Sequence, residues 1–255
     1  MALAARLRAA LRPAALHLAA SAFVAAMVAS LIFGVWYRYP YKELSGGREL
    51  FWLVVTVDIV CGPLLTLVLF SPAKRSAELA RDLGLVVLVQ IITLGYGLQT
   101  VWQSRPLFLV MNIDRFTVVS RTELAPKELD ALDQKLSPSW MSGPALVATR
   151  APRDDAERLA VLTESVQGGR DYAQRPDFYI AYDGDAALKS LGRSKSLALF
   201  LQRYPEQRPK AVEMAVSQKA VLDDWLYLPV VGRQDWVAIL DKRGQIQGFL
   251  KGDGF

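Results

Sequence analysis

The stretch that decides the fold is Phe51–Phe70, FWLVVTVDIVCGPLLTLVLF, whose polar interruptions are Thr56, Asp58 and Thr66. A hydrocarbon core about 30 Å thick is crossed by a helix of about 20 apolar residues. In lipid the backbone must satisfy its polar groups within its own segment, so the stretch is expected to be a transmembrane helix. Asp58 lies eight residues in, roughly 11 Å along the axis at about 1.5 Å per residue. A carboxylate at that depth costs about 2.5–3.5 kcal/mol on insertion scales, so it must face protein or water. Three readings are open: contact with a partner helix or its amine, an internal pair with Gln90, Thr93 or the Tyr96 hydroxyl, or a protonated carboxyl. Gly62-Pro63 follows one turn later. Pro63 lacks an N–H and crowds the Ile59 carbonyl, which predicts a kinked, polar break. Such breaks form where another helix or a ligand packs, and also as plain structural kinks.

Two further stretches of spanning length flank this one. Ala14–Tyr37 has His17, Ser21 and Ser30 as its polar interior residues, and Leu83–Trp102 carries Gln90, Thr93, Tyr96, Gln99 and Thr100. The first could be a cleaved signal peptide with Arg6, Arg8 and Arg12 as its basic region. However, the apolar run continues past Val28-Ala29-Ser30 to Trp36, as an uncleaved anchor does. It ends in aromatics, which favour a membrane interface. Within it, Ala22, Ala26, Ser30 and Gly34 recur every four residues. Such a stripe lets helix backbones approach closely. It reads equally as a docking face for another protein's helix and as packing on the chain's own spans. His17 reads as an interfacial residue and Cys61 as a small apolar one.

The whole chain has 255 residues, 52% of them hydrophobic and 22% charged, with a positive mean hydropathy. That excludes a disordered chain and argues against a fully soluble one. Its net charge of +5 sits mainly in residues 1–102, with nine Lys/Arg against five Asp/Glu, and the remainder is nearly balanced. The excess therefore reports topology, and no strong cationic field for nucleic acid is expected. The basic N-terminus places itself and the second loop, with Lys74, Arg75 and Arg81, in the cytoplasm by the positive-inside rule. Three crossings then put residues 103–255 outside.

From Ser104 the texture becomes that of an α+β domain. Strands are expected at Leu107–Met111, Phe116–Ser120, Ala145–Thr149, Phe178–Tyr182, Leu226–Val231, Trp236–Leu240 and Ile246–Leu250. Helices are expected at Pro126–Leu136, Pro152–Val166, Ser194–Arg203 and Pro209–Lys219. The expected fold class is thus a membrane protein with three N-terminal transmembrane α-helices (residues 1–102) and an extracytoplasmic, periplasmic α+β domain (residues 103–255). Four residues separate Trp102 from Leu107, so the domain has almost no linker.

Catalytic motifs are sparse. One cysteine and one histidine remove thiolate metal cages, disulfides and most Ser-His-Asp readings. Asp183-Gly-Asp185 resembles a carboxylate pair of some sugar transferases, but two oxygen ligands do not make a metal site, and the tetrapeptide is ordinary turn chemistry. Asp154-Asp155 and Asp223-Asp224 read as helix-start and turn acids.

The chain resembles the type IV pilin accessory proteins of Gram-negative bacteria, the TfpX/TfpZ group, also called FimB-like. The resemblance runs over nearly the whole length. It is carried by Leu44-Ser-Gly-Gly47, Asp58-Ile-Val-Cys-Gly-Pro-Leu-Leu65, Arg81-Asp82, Gln90, Tyr96-Gly97, Arg105-Pro106, Asp114-Arg115-Phe116, Leu228-Pro229, Trp236 and Leu240-Asp241. It implies a multi-pass inner-membrane protein made alongside a major pilin, which aids pilus assembly or the stability and supply of pilin subunits. It implies no enzyme activity and no catalytic residues, and with the sparse motifs above no cofactor or metal is expected. The expected partners are the type IV major pilin, inner-membrane lipid and other pilus assembly proteins. The expected contact set is Ala22, Ala26, Ser30, Gly34, Asp58, Gly62, Pro63, Gln90 and Tyr96. A ligand-sensing or regulatory membrane module is the alternative, and a pilin-modifying transferase using Asp183 and Asp185 a more distant one.

Overall fold

The computed structural model describes residues 3–255; the side chains of Leu3, Gly47, Arg48, Leu50, Leu53, Val54, Val57 and Asp58 lie outside the described set. The chain divides into two units. One joins Met1–Val35 with Gly46–Ser104, and the other joins Trp36–Ser45 with Arg105–Phe255.

Among the described residues the helix unit contains three long helices. Helix α1 (Leu3–Leu31) is rich in alanine, the strongest helix former. It starts well before the predicted Ala14, passes through Pro13 and continues as a wider π-type turn, Ile32–Trp36. A short helix, α2 (Tyr41–Leu44), falls in the other unit. Helices α3 (Gly47–Leu69) and α4 (Ser76–Gln103) complete the first. The break expected at Gly62-Pro63 is not an interruption, because α3 runs helical through Pro63. A single proline is tolerated when neighbouring helices re-satisfy the backbone around it. Among the described residues two helices are long and apolar enough to cross a membrane, Ala4–Trp36 and Ser76–Gln103. The described part of α3 gives a shorter apolar run, Ile59–Leu69. Two candidate spans, not three, therefore stand on the described residues.

Helix α3 packs along both α1 and α4. Its C-terminal carbonyls are met by cations. Lys74 Nζ donates to the Leu69 carbonyl at 2.8 Å and pairs with Asp82 at 2.7 Å. Arg6 Nε donates to the Phe70 carbonyl at 3.3 Å, and its guanidinium also reaches the Val68 carbonyl. Cations at a helix C-terminus complement its dipole and its unpaired carbonyls. Two of the basic residues that flank the apolar stretches thus also finish a helix.

The second unit is built on one sheet. Its elements are β1 (Pro106–Asn112), β2 (Arg115–Ser120), α5 (Pro126–Asp130), β3 (Ala145–Thr149), α6 (Asp155–Val166), β4 (Tyr179–Ala181), α7 (Gly184–Leu191), β5 (Lys195–Ser196), α8 (Leu197–Arg203), α9 (Arg208–Ser217), β6 (Leu226–Val231), β7 (Trp236–Leu240) and β8 (Ile246–Lys251). The strand order is β4-β3-β1-β2-β6-β7-β8, with β5 paired to β6. Strands β1 and β2 form a hairpin, β1–β3 and β2–β6 are parallel, and β6, β7 and β8 form an antiparallel meander. Strand β7 is buried throughout. Its alternation sends Trp236, Ala238 and Leu240 into one core and Val237 and Ile239 into another, as a period of two requires. Helices α8 and α9 fill the second core with Phe200, Leu201, Ala211 and Ala215. The first core contains Leu44, with Tyr41 packed against it.

Two expectations need correction. The helix from Pro126 ends at Asp130, not Leu136. The Asp133 carboxylate accepts from Lys135 N at 2.9 Å, a local turn that competes with helix. Conversely, α7 forms where only a turn was expected. Asp183 is its N-cap, accepting from Ala186 N at 3.4 Å.

Candidate functional site

The contact set predicted from sequence divides between the inside and the outside of the helix unit. On α1, Ala10, Ala14 and Ala25 are buried, with His17 and Ser21 partly buried between them. These positions follow a helical three-and-four spacing and form the inward face. On α3, Phe51, Val55, Gly62 and Thr66 are buried. Phe33 and Phe51 meet edge to face, with ring centroids 5.0 Å apart.

His17 bridges all three helices. Its Nδ1 lies 2.6 Å from Thr66 Oγ1 on α3, and its Nε2 lies 2.6 Å from Gln90 Oε1 on α4. The Gln90 oxygen only accepts, so Nε2 donates to it. In the neutral ring Nδ1 then accepts from the Thr66 hydroxyl. Gly62 completes the group, since a Cβ there would overlap the Gln90 amide. His17 is therefore a bundle residue and not the interfacial one its sequence position suggested. Of the predicted set, Gly62 and Gln90 are brought together here. Tyr96 is 73% exposed on α4, and Pro63 is partly buried. The predicted Asp58 contact falls on a side chain outside the described residues. Beside His17 and Gln90, an apolar recess of about 200 Å³ is lined by Ala20, Ser21, Val24 and Val55, with Val87 and Ile91 opposite.

Ala22, Ala26, Ser30 and Gly34 all lie on the exposed side of α1. The Ser30 hydroxyl turns back onto the Ala26 carbonyl at 2.9 Å. A Cβ built at Gly34 would meet nothing within 4 Å. Helix α1 thus packs inward through Ala10, Ala14, His17, Ser21 and Ala25, one face round from the four-residue stripe.

In the sheet unit, the segment Trp36–Ser45 is bound along the sheet. Arg233 N donates to the Leu44 carbonyl at 2.7 Å. Gly232 must be glycine there, because a Cβ would sit 2.8 Å from the same carbonyl. Tyr39 stacks edge-on against Trp236 with centroids 5.9 Å apart, and Lys210 Nζ lies 4.8 Å from the Tyr39 ring centre. Tyr41 meets Phe249, and burial pushes its hydroxyl up from the usual phenol range. From the sequence, Trp36 and Tyr37 are expected to form the interfacial end of a span. Both are buried, at 5% and 0% exposure, and belong with the sheet unit. The one signal available was the density of aromatics from Trp36 to Tyr41.

The Asp154-Asp155 pair acts locally, whereas Asp224 pairs with Lys242 at 2.8 Å. Asp154 caps α6, accepting from Glu157 N at 2.7 Å. Glu157 makes a two-pronged pair with Arg150 at 2.9 and 2.8 Å. The Arg150 hydrogen bonds, with help from Arg153 N, hold the Glu157 carboxyl down at about 2. Among the described residues no group of three His, Cys, Asp or Glu side chains converges as a metal site would require.

Comparison with known proteins yields consistent matches. The family model for fimbrial assembly protein FimB matches residues 5–46, which run from α1 through the bound segment. The fimbrial assembly proteins of serogroups I and E1 of Dichelobacter nodosus are each 31% identical over 243 residues, covering 94% of this chain and 94% of each relative. The corresponding protein of serogroups C1 and C2 is 37% identical over 114 residues, covering 45% of this chain and 87% of its own length. No solved structure matches.

Proposed function

From its membership in the FimB-like family of fimbrial assembly proteins, to which the chain belongs, we propose that it is a non-catalytic inner-membrane accessory protein that holds and stabilises type IV pilin subunits for pilus assembly. The observation that carries this reading is the outward stripe on α1. Ala22, Ala26, Ser30 and Gly34 form a shallow track on the side away from Ala10, Ala14 and Ala25. In lipid there is no hydrophobic drive between helices, so a track of small residues is how a second apolar helix is held. The pilin's apolar helix lies along this track, and residues 105–255 meet its head. Asp58 belongs to the contact set as the acid that a transmembrane segment must partner.

The division of the chain supports a three-span arrangement. Residues 36–45 share a core with residues 105–255, so both lie on one side of the membrane. The number of crossings between Ser45 and Arg105 is then even, and α4 crossing alone would tear that core apart. Crossing by both α3 and α4 satisfies the constraint. Arg6, bonded to the end of α3, brings its own basic segment beside the second loop, and the positive-inside rule favours the cytoplasm for both. The shared unit then faces the periplasm.

The test is co-purification of the pilin with the intact protein from membranes. Ala26→Leu and Gly34→Leu fill the track without touching the inward face. Each is expected to lower pilin recovery several-fold while leaving the protein's own level unchanged, and Asp58→Ala is expected to lower it as well. Undiminished recovery with both track variants, together with normal piliation, would rule this mechanism out.

A further inference from the structure

Within the sheet unit, Ser139–Ser142 forms a closed turn. Ser142 N donates to the Ser139 carbonyl at 3.2 Å, and the Ser142 hydroxyl donates to it at 3.0 Å. Met141 N donates to Ser139 Oγ at 3.3 Å. The two central residues are Trp140 and Met141, with 62% and 51% of their surfaces exposed. No acid lies between Leu136 and Thr149.

The place of this turn in the chain gives it meaning. The Trp140 carbonyl accepts from Trp36 Nε1 at 3.0 Å and from Arg105 Nη1 at 3.2 Å. Both donors are buried, at 5% and 4% exposure. Trp36 follows Val35, where α1's segment of the helix unit ends, and Arg105 follows Ser104, where α4's segment ends. One carbonyl is thus tied to both points at which the chain leaves the helix unit. For helices that cross lipid, those points lie at the membrane–water boundary. An indole has an apolar body and a polar N–H and favours that boundary. Methionine adds a flexible apolar chain. The closed turn fixes the backbone that carries both side chains, so less ordering is lost when they enter the interface.

We infer that the Trp140–Met141 turn is an interfacial anchor that seats the sheet unit on the outer leaflet, its ligand being the lipid headgroup and upper acyl region. The inference rests on the proposed crossing of the membrane by α1 and α4. Its test keeps the two separable. The full-length protein in lipid nanodiscs carries Cys61→Ala, so that a single new cysteine can be labelled with an environment-sensitive fluorophore. One variant adds Met141→Cys and the other Ile92→Cys, on the exposed face of α4. Lipids with a nitroxide near the headgroup are expected to quench the label at position 141 about twofold or more, as interfacial depth requires, while iodide in the water quenches it weakly. Adding Trp140→Ser is expected to weaken the lipid quenching. Suppose iodide quenches position 141 as it quenches free dye, while deep nitroxide lipids quench position 92. The anchor would then be wrong and the crossing would stand. Iodide quenching at both positions would overturn both. Shielding of position 141 from both iodide and nitroxide lipid would mean that a protein covers the turn, which also overturns the inference.

Discussion

In the helix unit the inward face of α1 is made of Ala10, Ala14 and Ala25, interrupted by a histidine that bonds to Thr66 and Gln90. In the sheet unit the interior around β7 holds Phe116, Phe200, Trp236 and Leu240, spread over both faces of a strand that alternates every second residue. Under the proposed crossing of the membrane, the contrast follows from the two solvents. Next to water, burying large apolar surface is worth about 25 cal/mol per Å². Between lipid-bathed helices that gain is absent, and close approach plus a few hydrogen bonds must specify the packing. By this criterion residues 36–45 are read easily. Tyr37 and Leu44 are large and completely buried, so the segment follows the chemistry of the sheet unit although it lies between two membrane-type helices.

The strongest way to break this comparison is to empty the sheet core from that distant segment. Leu44→Ala is expected to lower the stability of the sheet unit by about 2–5 kcal/mol, the usual range for a buried leucine. Urea-dependent proteolysis of residues 105–255 in the intact protein measures it, and an unchanged midpoint would remove the segment from the core. Next in size is overpacking of the helix unit. Gly62→Leu drives a side chain into Gln90 and is expected to cost about 1–3 kcal/mol. Steric-trap unfolding in bicelles would register the loss in the helix unit and leave the sheet unit's proteolysis midpoint in place. Removing the bridge by His17→Leu has a smaller expected effect, about 0.6–2 kcal/mol, because unfolded helices in lipid find other polar partners.

The smallest expected effect is a pH dependence confined to the sheet unit. Glu157 is held near 2 from an ordinary value of 4.5 by Arg150. A depressed carboxyl contributes stability that is complete above its unfolded value and is lost as pH falls through the folded one. The slope therefore lies between about pH 4.5 and 2. Glu157→Gln is expected to flatten it slightly, and an identical acid profile for both proteins would dismiss the pair as a contributor.

Much of the sheet was legible because strand alternation and turn chemistry are local. The β1–β2 and β7–β8 hairpins form where Asn112–Arg115 and Asp241–Gly244 announce them. Helix α7 was not legible. Its buried face is Ala186, Ala187 and Ser190, small residues that give almost no apolar signal, and its cap imitates a turn. The stripe on α1 could be read, but not which way it faced, since helical periodicity fixes relative and not absolute rotation. The His17 group was hidden for another reason: its members are 49 and 73 residues apart in sequence, and a lone histidine near a span end ordinarily belongs to the interface. Aromatics such as Trp36 and Tyr37 suit an interface and a core equally well.

Site-specific photo-crosslinking along α1, in cells that make pili, tests the account most directly. A crosslinking residue at Ala26 or Ser30 is predicted to trap the pilin, while the same residue at inward-facing Ala25 traps nothing outside the chain. Capture from Ala25 as efficient as from Ala26, or no pilus subunit from any of the three, would contradict it.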